Sequence, residues 1–149
     1  MFNLNVYNRT REKISKNFFS EILISAEKNL VKTGKILPRQ NFSLDLTFVT
    51  NKEITELNKK HRGIDSPTDV ISISYSDLTF DEFIGEIFIS LPFAKMQAEK
   101  IGNSLEEEVK FLFIHGLLHV FGFDHVKQKE ACVMENLTYR ILEVPNKGK

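Results

Sequence analysis

The stretch 104–125, SLEEEVKFLFIHGLLHVFGFDH, contains a helix start, a helix stop and most of the histidines of the chain. Ser104 followed by Glu107 is a capping box, in which each side chain accepts a hydrogen bond from the other residue's backbone N–H. Apolar residues fill the interior, and Gly122 can take the positive φ with which many helices end. The stretch therefore predicts a helix from Ser104 to about Phe121, followed by a reversal of the chain.

Three of the four histidines lie in this stretch, at positions 115, 119 and 125. A helix places His115 and His119 on one face, with Cβ atoms about 5–6 Å apart. Imidazoles at that spacing can bind one metal ion, and the reversal at Gly122 can return His125 toward the pair. Three histidines without a fourth protein ligand describe an open, catalytic type of site. Asp124 is expected to orient a ligand by accepting an imidazole N–H.

Other interpretations of the histidines are weaker. Ordinary core histidines do not explain three in register with a helix-ending glycine. A closed structural zinc would need a fourth ligand, and the candidate, Cys132, lies in an apolar stretch where burial is expected. Zinc peptidases share the spacing H-x-x-x-H-x-x-G-x-x-H, but they carry glutamate after the first histidine as general base. Gly116 stands there and cannot take a proton, so a peptidase would need a base from elsewhere.

Working outward from this helix, hydrophobic periodicity predicts the other elements of the fold. Strands are predicted at Asn3–Asn8, Phe42–Val49, Val70–Tyr75 and Ile84–Ser90. Helices are predicted at about Thr10–Leu30, at Asn51–His61 with Thr50 or Asn51 as cap, at Pro92–Ile101 and at about Lys129–Leu142. The order β-α-β-α-β-β-α-α-α predicts an α+β fold, a small mixed four-stranded sheet packed with about five helices.

Length and composition narrow the class of protein. A chain of 149 residues is expected to form a single domain, 1–149, that buries its own core. The formal net charge is zero, so nucleic-acid binding would need a local basic patch, such as RTREK at 9–13 or NKKHR at 58–62. By charge alone, each patch is an ordinary solvated helix face. One cysteine and no apolar run of about 20 residues predict a cytoplasmic protein without a membrane segment.

Three motifs together resemble one protein family. HGLLHVFGFDH is similar to the H-G-x-L-H-L-x-G-Y-D-H signature of the YbeY family, bacterial rRNA maturation factors regarded as metal-dependent endoribonucleases. LNKKHRGIDSPTDVISISY at 57–75 resembles the family's second signature, and GEIFIS at 85–90 resembles its G-D-I-x-I-S strand. The motifs follow the family order over essentially the whole chain. The departures are Phe123 for tyrosine, Glu86 for aspartate and Ser-Ile-Ser for Ser-Phe-Pro, and none replaces a predicted metal ligand.

The resemblance implies a metal-dependent hydrolase that cleaves single-stranded RNA. The expected process is ribosomal RNA maturation, at the 3′ end of 16S rRNA, together with ribosome quality control. The expected partners are ribosomal RNA and the small ribosomal subunit, with no small-molecule cofactor. One divalent metal is expected per chain, and zinc comes first among the metals that all-histidine ligation suits.

The resemblance also assigns residues to the reaction. The arginine of the family's Y-R-G motif falls on Arg62, whose fork can bind the scissile phosphate bidentately. Without the resemblance, Arg62 would be an ordinary surface charge. Lys59 and Lys60 are expected to extend the RNA-binding side, because the acidic loop at 77–82 cannot attract RNA. Arg62 and the metal ligand His115 are the expected catalytic residues.

Several alternatives stay open at this point. The protein could be a ribosome-associated binding factor whose metal only stabilises the fold, or a zinc peptidase-like hydrolase with an unusual base. The sequence does not identify a general base for RNA hydrolysis. Thr68 and Asp69 could hold the arginine loop in place or simply cap backbone amides, and turn chemistry favours capping.

Overall fold

The computed structural model describes residues 1–75, 83–124 and 126–144. The strands are β1 (Phe2–Asn8), β2 (Phe42–Val49), β3 (Val70–Ser74) and β4 (Phe83–Ser90). The helices are α1 (Phe19–Lys32), α2 (Asn51–Arg62), α3 (Leu91–Ile101), α4 (Leu105–Val120) and α5 (Gln128–Leu142). Their order along the chain is the predicted one, and the α+β prediction is confirmed. None of these helices is both long and apolar enough to cross a membrane.

The four strands form one mixed sheet with the order β1-β2-β4-β3. β1, β2 and β4 are parallel, whereas β3 runs antiparallel to β4. β3 therefore lies at one edge of the sheet, and its outer side is not covered by another strand of this sheet. The C-terminal end of α2 lies at this edge.

Helices cover the two faces of the sheet unequally. The main core joins one face of the sheet to α1, α4 and α5, and it includes the alternate residues Phe42, Leu44, Leu46 and Phe48 of β2. The opposite face carries a smaller cluster of Val49, Ile54, Ile71 and Phe88, in which Ile54 belongs to α2. α2 is thus held against the sheet by its own apolar contacts. Burial of these side chains fixes the position of the helix end that carries Arg62.

The capping residues predicted at the starts of α4 and α2 form the expected hydrogen bonds. Ser104 Oγ accepts the Glu107 N–H at 3.1 Å, and Glu107 Oε1 accepts the Ser104 N–H at 3.0 Å. That second bond lowers the pKa of the Glu107 carboxyl below its usual value. Thr50 is the cap of α2, because its Oγ1 accepts the N–H of Glu53 at 3.2 Å. Side-chain caps of this kind satisfy donors that a helix start leaves unpaired.

The predicted start of the first helix was wrong. α1 begins at Phe19, and residues 10–17 are not helical, although Ile14 continues the apolar spacing. Asn8 Oδ1 accepts the Thr10 N–H at 2.9 Å, Thr10 Oγ1 accepts the Glu12 N–H, and Ser15 Oγ accepts the Asn17 N–H. These short-range bonds offer the backbone an alternative to helical hydrogen bonds.

The expected burial of Cys132 was also wrong, since this residue is exposed. The buried residues of α5 are Met134, Leu137, Thr138 and Ile141, which define one face of the helix by spacings of three and four. Cys132 precedes Met134 by two residues and therefore points to a different side. Its Sγ lies 3.6 Å from Asn136 Nδ2 at the surface.

Candidate active site

The two histidines of α4 lie side by side. The ring centroids of His115 and His119 are 4.8 Å apart, and the ring planes make an angle of 75°. Both residues are half-buried, whereas Leu117 and Leu118 between them are fully buried. The i, i+4 spacing thus presents two imidazoles together on the partly exposed side of α4.

Aromatic rings support this pair from the preceding turn of the helix. The ring of Phe111 stacks against His115 with centroids 6.2 Å apart and an interplanar angle of 21°. Tyr139 of α5 contacts Phe111 in turn, again at 6.2 Å. These contacts limit the rotamers open to the His115 ring, so they hold one imidazole in place before anything binds.

The donor set fits a divalent metal of the kind that imidazole ligates. Two neighbouring, half-exposed imidazoles on one helix can supply two nitrogen ligands to one ion. No set of three or more metal-ligating side chains lies together within residues 1–75, 83–124 and 126–144. The third predicted ligand, His125, lies outside the described residues.

The turn that follows α4 has the backbone conformation expected of a helix stop. Gly122 has a φ of 88°, a region that side chains with a Cβ rarely adopt. The Gly122 N–H donates to the His119 carbonyl at 2.9 Å, and the N–H of Phe123 donates to Leu118 at 3.0 Å. Asp124 Oδ1 accepts the N–H of Val126 at 3.1 Å. Asp124 therefore stabilises the turn, and its expected contact with an imidazole stays a prediction.

Gly116, the residue after His115, explains how α4 can lie close to the edge of the sheet. A Cβ on Gly116 would lie 3.0 Å from Ile87 Cγ2 and 3.4 Å from Val70 Cγ2. Glycine thus allows α4 to pack closely on β4 and on the first residue of β3. Position 116 faces the sheet, and a glutamate at this place would have no room there. The structure therefore offers no peptidase-like base at the position after His115.

Arg62 approaches the same edge of the sheet from α2. The helix ends at Gly63, which has a φ of 71°, and the Arg62 guanidinium donates to the Val70 carbonyl at 3.4 Å. The side chain of Val70, together with that of Ile87, faces Gly116. A single residue of β3 thus contacts the arginine through its backbone and the histidine helix through its side chain. The structure thus brings the end of α2 that carries Arg62 and the Gly116 side of α4 to the same residue of β3.

The two lysines before Arg62 differ in direction. Lys59 precedes Arg62 by three residues, so it lies on the same side of α2, and its Nζ is 4.0 Å from Asp65 Oδ2. Lys60 precedes Arg62 by two residues and projects from another side of the helix. Both lysines are exposed. The described geometry groups Lys59 with Arg62 and separates Lys60 from them.

Asp69 has the capping role that turn chemistry favoured, and Thr68 supports it through its hydroxyl. Asp69 Oδ1 accepts the Val70 N–H at 2.7 Å and the Thr68 hydroxyl at 3.3 Å. The Asp69 carbonyl accepts the N–H of Ser90 at 3.0 Å. Both interactions anchor the start of β3, and therefore also the carbonyl to which Arg62 donates.

Sequence reasoning missed Asn58, a buried residue of α2 that is 2% exposed. Its Nδ2 donates to the Ser66 carbonyl at 2.9 Å, across the loop between α2 and β3. The sequence did indicate that Asn58 is buried, because it lies four residues after Ile54 on the inward face of the predicted helix. An amide at an otherwise apolar position of this kind usually has a hydrogen-bonding task.

The positions that depart from the family motifs have defined surroundings. Lys35 Nζ lies 5.3 Å from the centroid of the Phe123 ring, a cation–π contact beside the turn after α4. Glu86 accepts the hydroxyl of Tyr75 at 2.6 Å, and this bond raises the pKa of the tyrosine. Neither Phe123 nor Glu86 stands at the position of a histidine of α4.

Comparisons with known proteins indicate the family that this chain resembles. The family model described as Endoribonuclease YbeY matches residues 5–146, a range that contains Arg62 and all three predicted metal ligands. Endoribonuclease YbeY of Streptococcus agalactiae serotype III (strain NEM316) is 38% identical over 151 residues, covering 87% of this chain and 89% of the relative. The enzyme of the same name from Sulfurihydrogenibium sp. (strain YO3AOP1) is 36% identical, covering 96% and 90%.

A solved structure shows a similar fold. The solution structure of TM1509 from Thermotoga maritima aligns with a TM-score of 0.54 and 22% identity, covering 99% of both chains. At that identity the likeness concerns the fold alone. The family match and the curated relatives span nearly the whole chain, and both carry the same description. The chain belongs to the endoribonuclease YbeY family.

Proposed function

We propose that the protein is a metal-dependent, single-strand-specific endoribonuclease that acts in ribosomal RNA maturation. The relatives are named endoribonucleases, so the reaction class is hydrolysis of a phosphodiester bond in RNA. The proposed processing site is the 3′ end of 16S rRNA, with the small ribosomal subunit as partner and a further part in ribosome quality control. The observation that carries the proposal is the neighbouring His115–His119 pair on α4, a helix whose Gly116 packs against Val70, the residue to which Arg62 donates.

His115 and His119, with His125 as the third ligand expected from the spacing, would hold one divalent metal. Zinc is the first candidate for an all-histidine site, in which nickel and copper also bind well. A divalent cation held there would supply Lewis-acid chemistry, which polarises phosphoryl oxygens and activates water. The stacking of Phe111 on His115 would keep this ligand oriented between turnovers.

Arg62 would bind the phosphate and stabilise the charge that develops on it. Its hydrogen bond to Val70 is long at 3.4 Å, and a guanidinium has five N–H donors, so most of its donors remain for a ligand. Charge-assisted bonds to phosphate are shorter and stronger than a long bond to a neutral carbonyl. The arginine can therefore turn toward an incoming phosphate at a small cost. Since it stays protonated, it supplies charge and position and takes no proton.

Lys59 would contribute a second positive charge on the same side of α2 as Arg62. It lies 4.0 Å from Asp65 with both side chains well exposed, and such surface pairs are weak. An RNA backbone can therefore displace the carboxylate from Lys59. Lys60 would contact RNA only where the RNA chain continues around α2 to the side on which Lys60 lies.

A cleavage assay with the purified full chain tests the proposal. The substrates are a single-stranded RNA that carries the 3′ end of the 16S precursor and the same sequence annealed to its complement. We expect the single strand alone to be cut, with activity lost on chelation and restored by zinc. The His115→Ala/His119→Ala double variant, purified in parallel, controls for contaminating nuclease and should be inactive.

Two results would contradict the proposal. Cleavage by the double variant at the wild-type rate would place the activity outside this site. A metal-loaded wild-type protein that binds the RNA without cutting it would instead indicate a ribosome-associated binding factor.

A further inference from the structure

Asn58 holds the loop between α2 and β3 in two ways. Its Nδ2 donates to the Ser66 carbonyl at 2.9 Å, and its backbone carbonyl accepts the N–H of Ile64 at 3.4 Å. The Asn58 side chain is 2% exposed, so the donor of the first bond lies inside the protein, whereas Ser66 lies at the surface and the bond is part-buried. The loop is therefore tied to the last turn of α2 from inside the protein.

This loop begins at the residue that carries the proposed phosphate-binding charge. Arg62 is the last residue of α2, and its guanidinium donates to Val70, the first residue of β3. The Asn58–Ser66 and Arg62–Val70 bonds thus cross the same loop, each between residues eight apart. The Arg62 bond is longer and comes from an exposed residue, so it holds the spacing between the helix end and the strand less firmly than the Asn58 bond.

The amide of Asn58 is kept in spite of an energetic cost. Its Oδ1 is buried and accepts no hydrogen bond from residues that the structure describes. Rotating the amide would not help, because the Ser66 carbonyl requires a donor and Oδ1 is not one. An apolar side chain of similar size would remove the unsatisfied acceptor, but it would also take the Nδ2 donor away from the Ser66 carbonyl. The bond to Ser66 is therefore what the buried amide contributes to this loop.

We infer that Asn58 is a positioning residue for Arg62. By holding the Ser66 carbonyl, it sets the path of the loop and thereby the distance between the Arg62 backbone and the β3 edge beside the histidine helix. This inference rests on the proposed phosphate-binding role of Arg62. Local rules violated at a cost in stability are typical of functional sites, which agrees with an orphaned acceptor one turn before the arginine.

A matched pair of buried asparagines allows a direct test. Asn29 is 7% exposed, and its Nδ2 donates to the Ser25 carbonyl within α1, a helix that does not border the Arg62 loop along the chain. Asn58→Leu and Asn29→Leu each remove one buried amide donor from a helix. Thermal unfolding, metal content, kcat and KM for RNA cleavage are measured for both variants and for Arg62→Ala.

We expect Asn58→Leu to lower kcat about ten- to a hundredfold, as loss of orientation at a site does. Its losses should divide between kcat and KM in the same proportion as those of Arg62→Ala, with unchanged metal content. Asn29→Leu should lose a comparable amount of thermal stability but keep wild-type kinetics. If the leucine variant fails to fold, Asn58→Ala removes the same amide and should give the same kinetic result.

The double variant Asn58→Leu/Arg62→Ala shows whether Asn58 acts through the arginine. Residues that act as a unit give non-additive effects, so kcat should be no lower than that of Arg62→Ala alone. A further drop as large as that seen in the wild-type background would overturn the inference. A normal rate for Asn58→Leu beside a slow Arg62→Ala would overturn the positioning role alone. A normal rate for Arg62→Ala would overturn this inference together with the phosphate-binding role proposed above.

Discussion

The guanidinium of Arg62 donates to the backbone carbonyl of Val70 at 3.4 Å. Val70 begins the edge strand β3, and its side chain would be 3.4 Å from a Cβ on Gly116. An arginine at the end of one helix thereby contacts the same residue of the edge strand as Gly116 of the histidine helix, which lies more than fifty residues further along the chain. This arrangement places the proposed phosphate-binding group and the proposed metal ligands on different helices, and the two can be tested independently.

Replacing Arg62 should affect the reaction without affecting the metal. Arg62→Glu should keep the fold and the metal content but lower RNA cleavage at least about a hundredfold, the usual loss when a charge-stabilising donor is removed. Arg62→Lys should be intermediate, because the charge is retained and the bidentate fork is lost. Wild-type RNA binding should weaken as salt rises, as phosphate contacts require. If the Arg62→Glu protein holds metal and cleaves RNA at the wild-type rate, Arg62 is an ordinary surface charge with no part in the reaction.

Replacing either histidine of α4 should empty the metal site. Because His115 and His119 are proposed to share one ion, His115→Ala and His119→Ala should each abolish stoichiometric metal binding, measured by elemental analysis. His61→Ala is the matched control, since His61 is exposed on α2 and no metal role is proposed for it. The shared site is contradicted by full metal occupancy in either α4 variant.

Gly122→Val should damage metal binding through the backbone. A β-branched residue resists a φ of 88°, so the turn must shift or store strain of about 1–2 kcal/mol. Gly102→Val is the control, because Gly102 also has a positive φ, 78°, and a Cβ added there would meet none of the described residues within 4 Å. Both variants should lose thermal stability, but only Gly122→Val should lose metal affinity. Equal metal affinity in the two variants would show that the turn does not position a ligand.

The capping box of α4 should contribute to stability in a pH-dependent way. Ser104→Ala should lower the free energy of unfolding by about 0.5–2 kcal/mol, seen as a lower Tm. The Ser104 N–H lowers the folded-state pKa of Glu107 below its ordinary value of 4.5. The stabilisation from this carboxylate is therefore present at neutral pH and is lost as pH falls through that lowered pKa.

Glu107→Gln provides the comparison for the pH effect. The amide keeps an acceptor for the Ser104 N–H but does not titrate, so the acid loss of stability should be smaller in this variant. Denaturant unfolding at neutral pH and at about pH 3 measures the difference. Identical losses in wild type and variant would mean that Glu107 does not couple helix capping to protonation.

The amino-acid sequence determined the elements whose signals lie within a few residues of each other. The capping box and Gly122 delimit α4, and the i, i+4 spacing places His115 beside His119, because these interactions join neighbours along the chain. The same local reasoning failed at residues 10–17, where side chains of Asn8, Thr10 and Ser15 bond to nearby backbone instead. Periodicity identifies an apolar face, but it does not say whether competing local bonds leave a segment helical.

Only the tertiary structure decided which distant residues meet. The sequence does not state that β3 lies at the sheet edge, antiparallel to β4, and this placement brings Val70 between Arg62 and Gly116. Nor does it reveal that Asn58 reaches Ser66 from inside the protein. Contacts across a loop or between two helices depend on how the whole core packs. The spacing of residues therefore predicted the metal ligands, while the packing of α2 and α4 against one edge strand decided where the arginine lies.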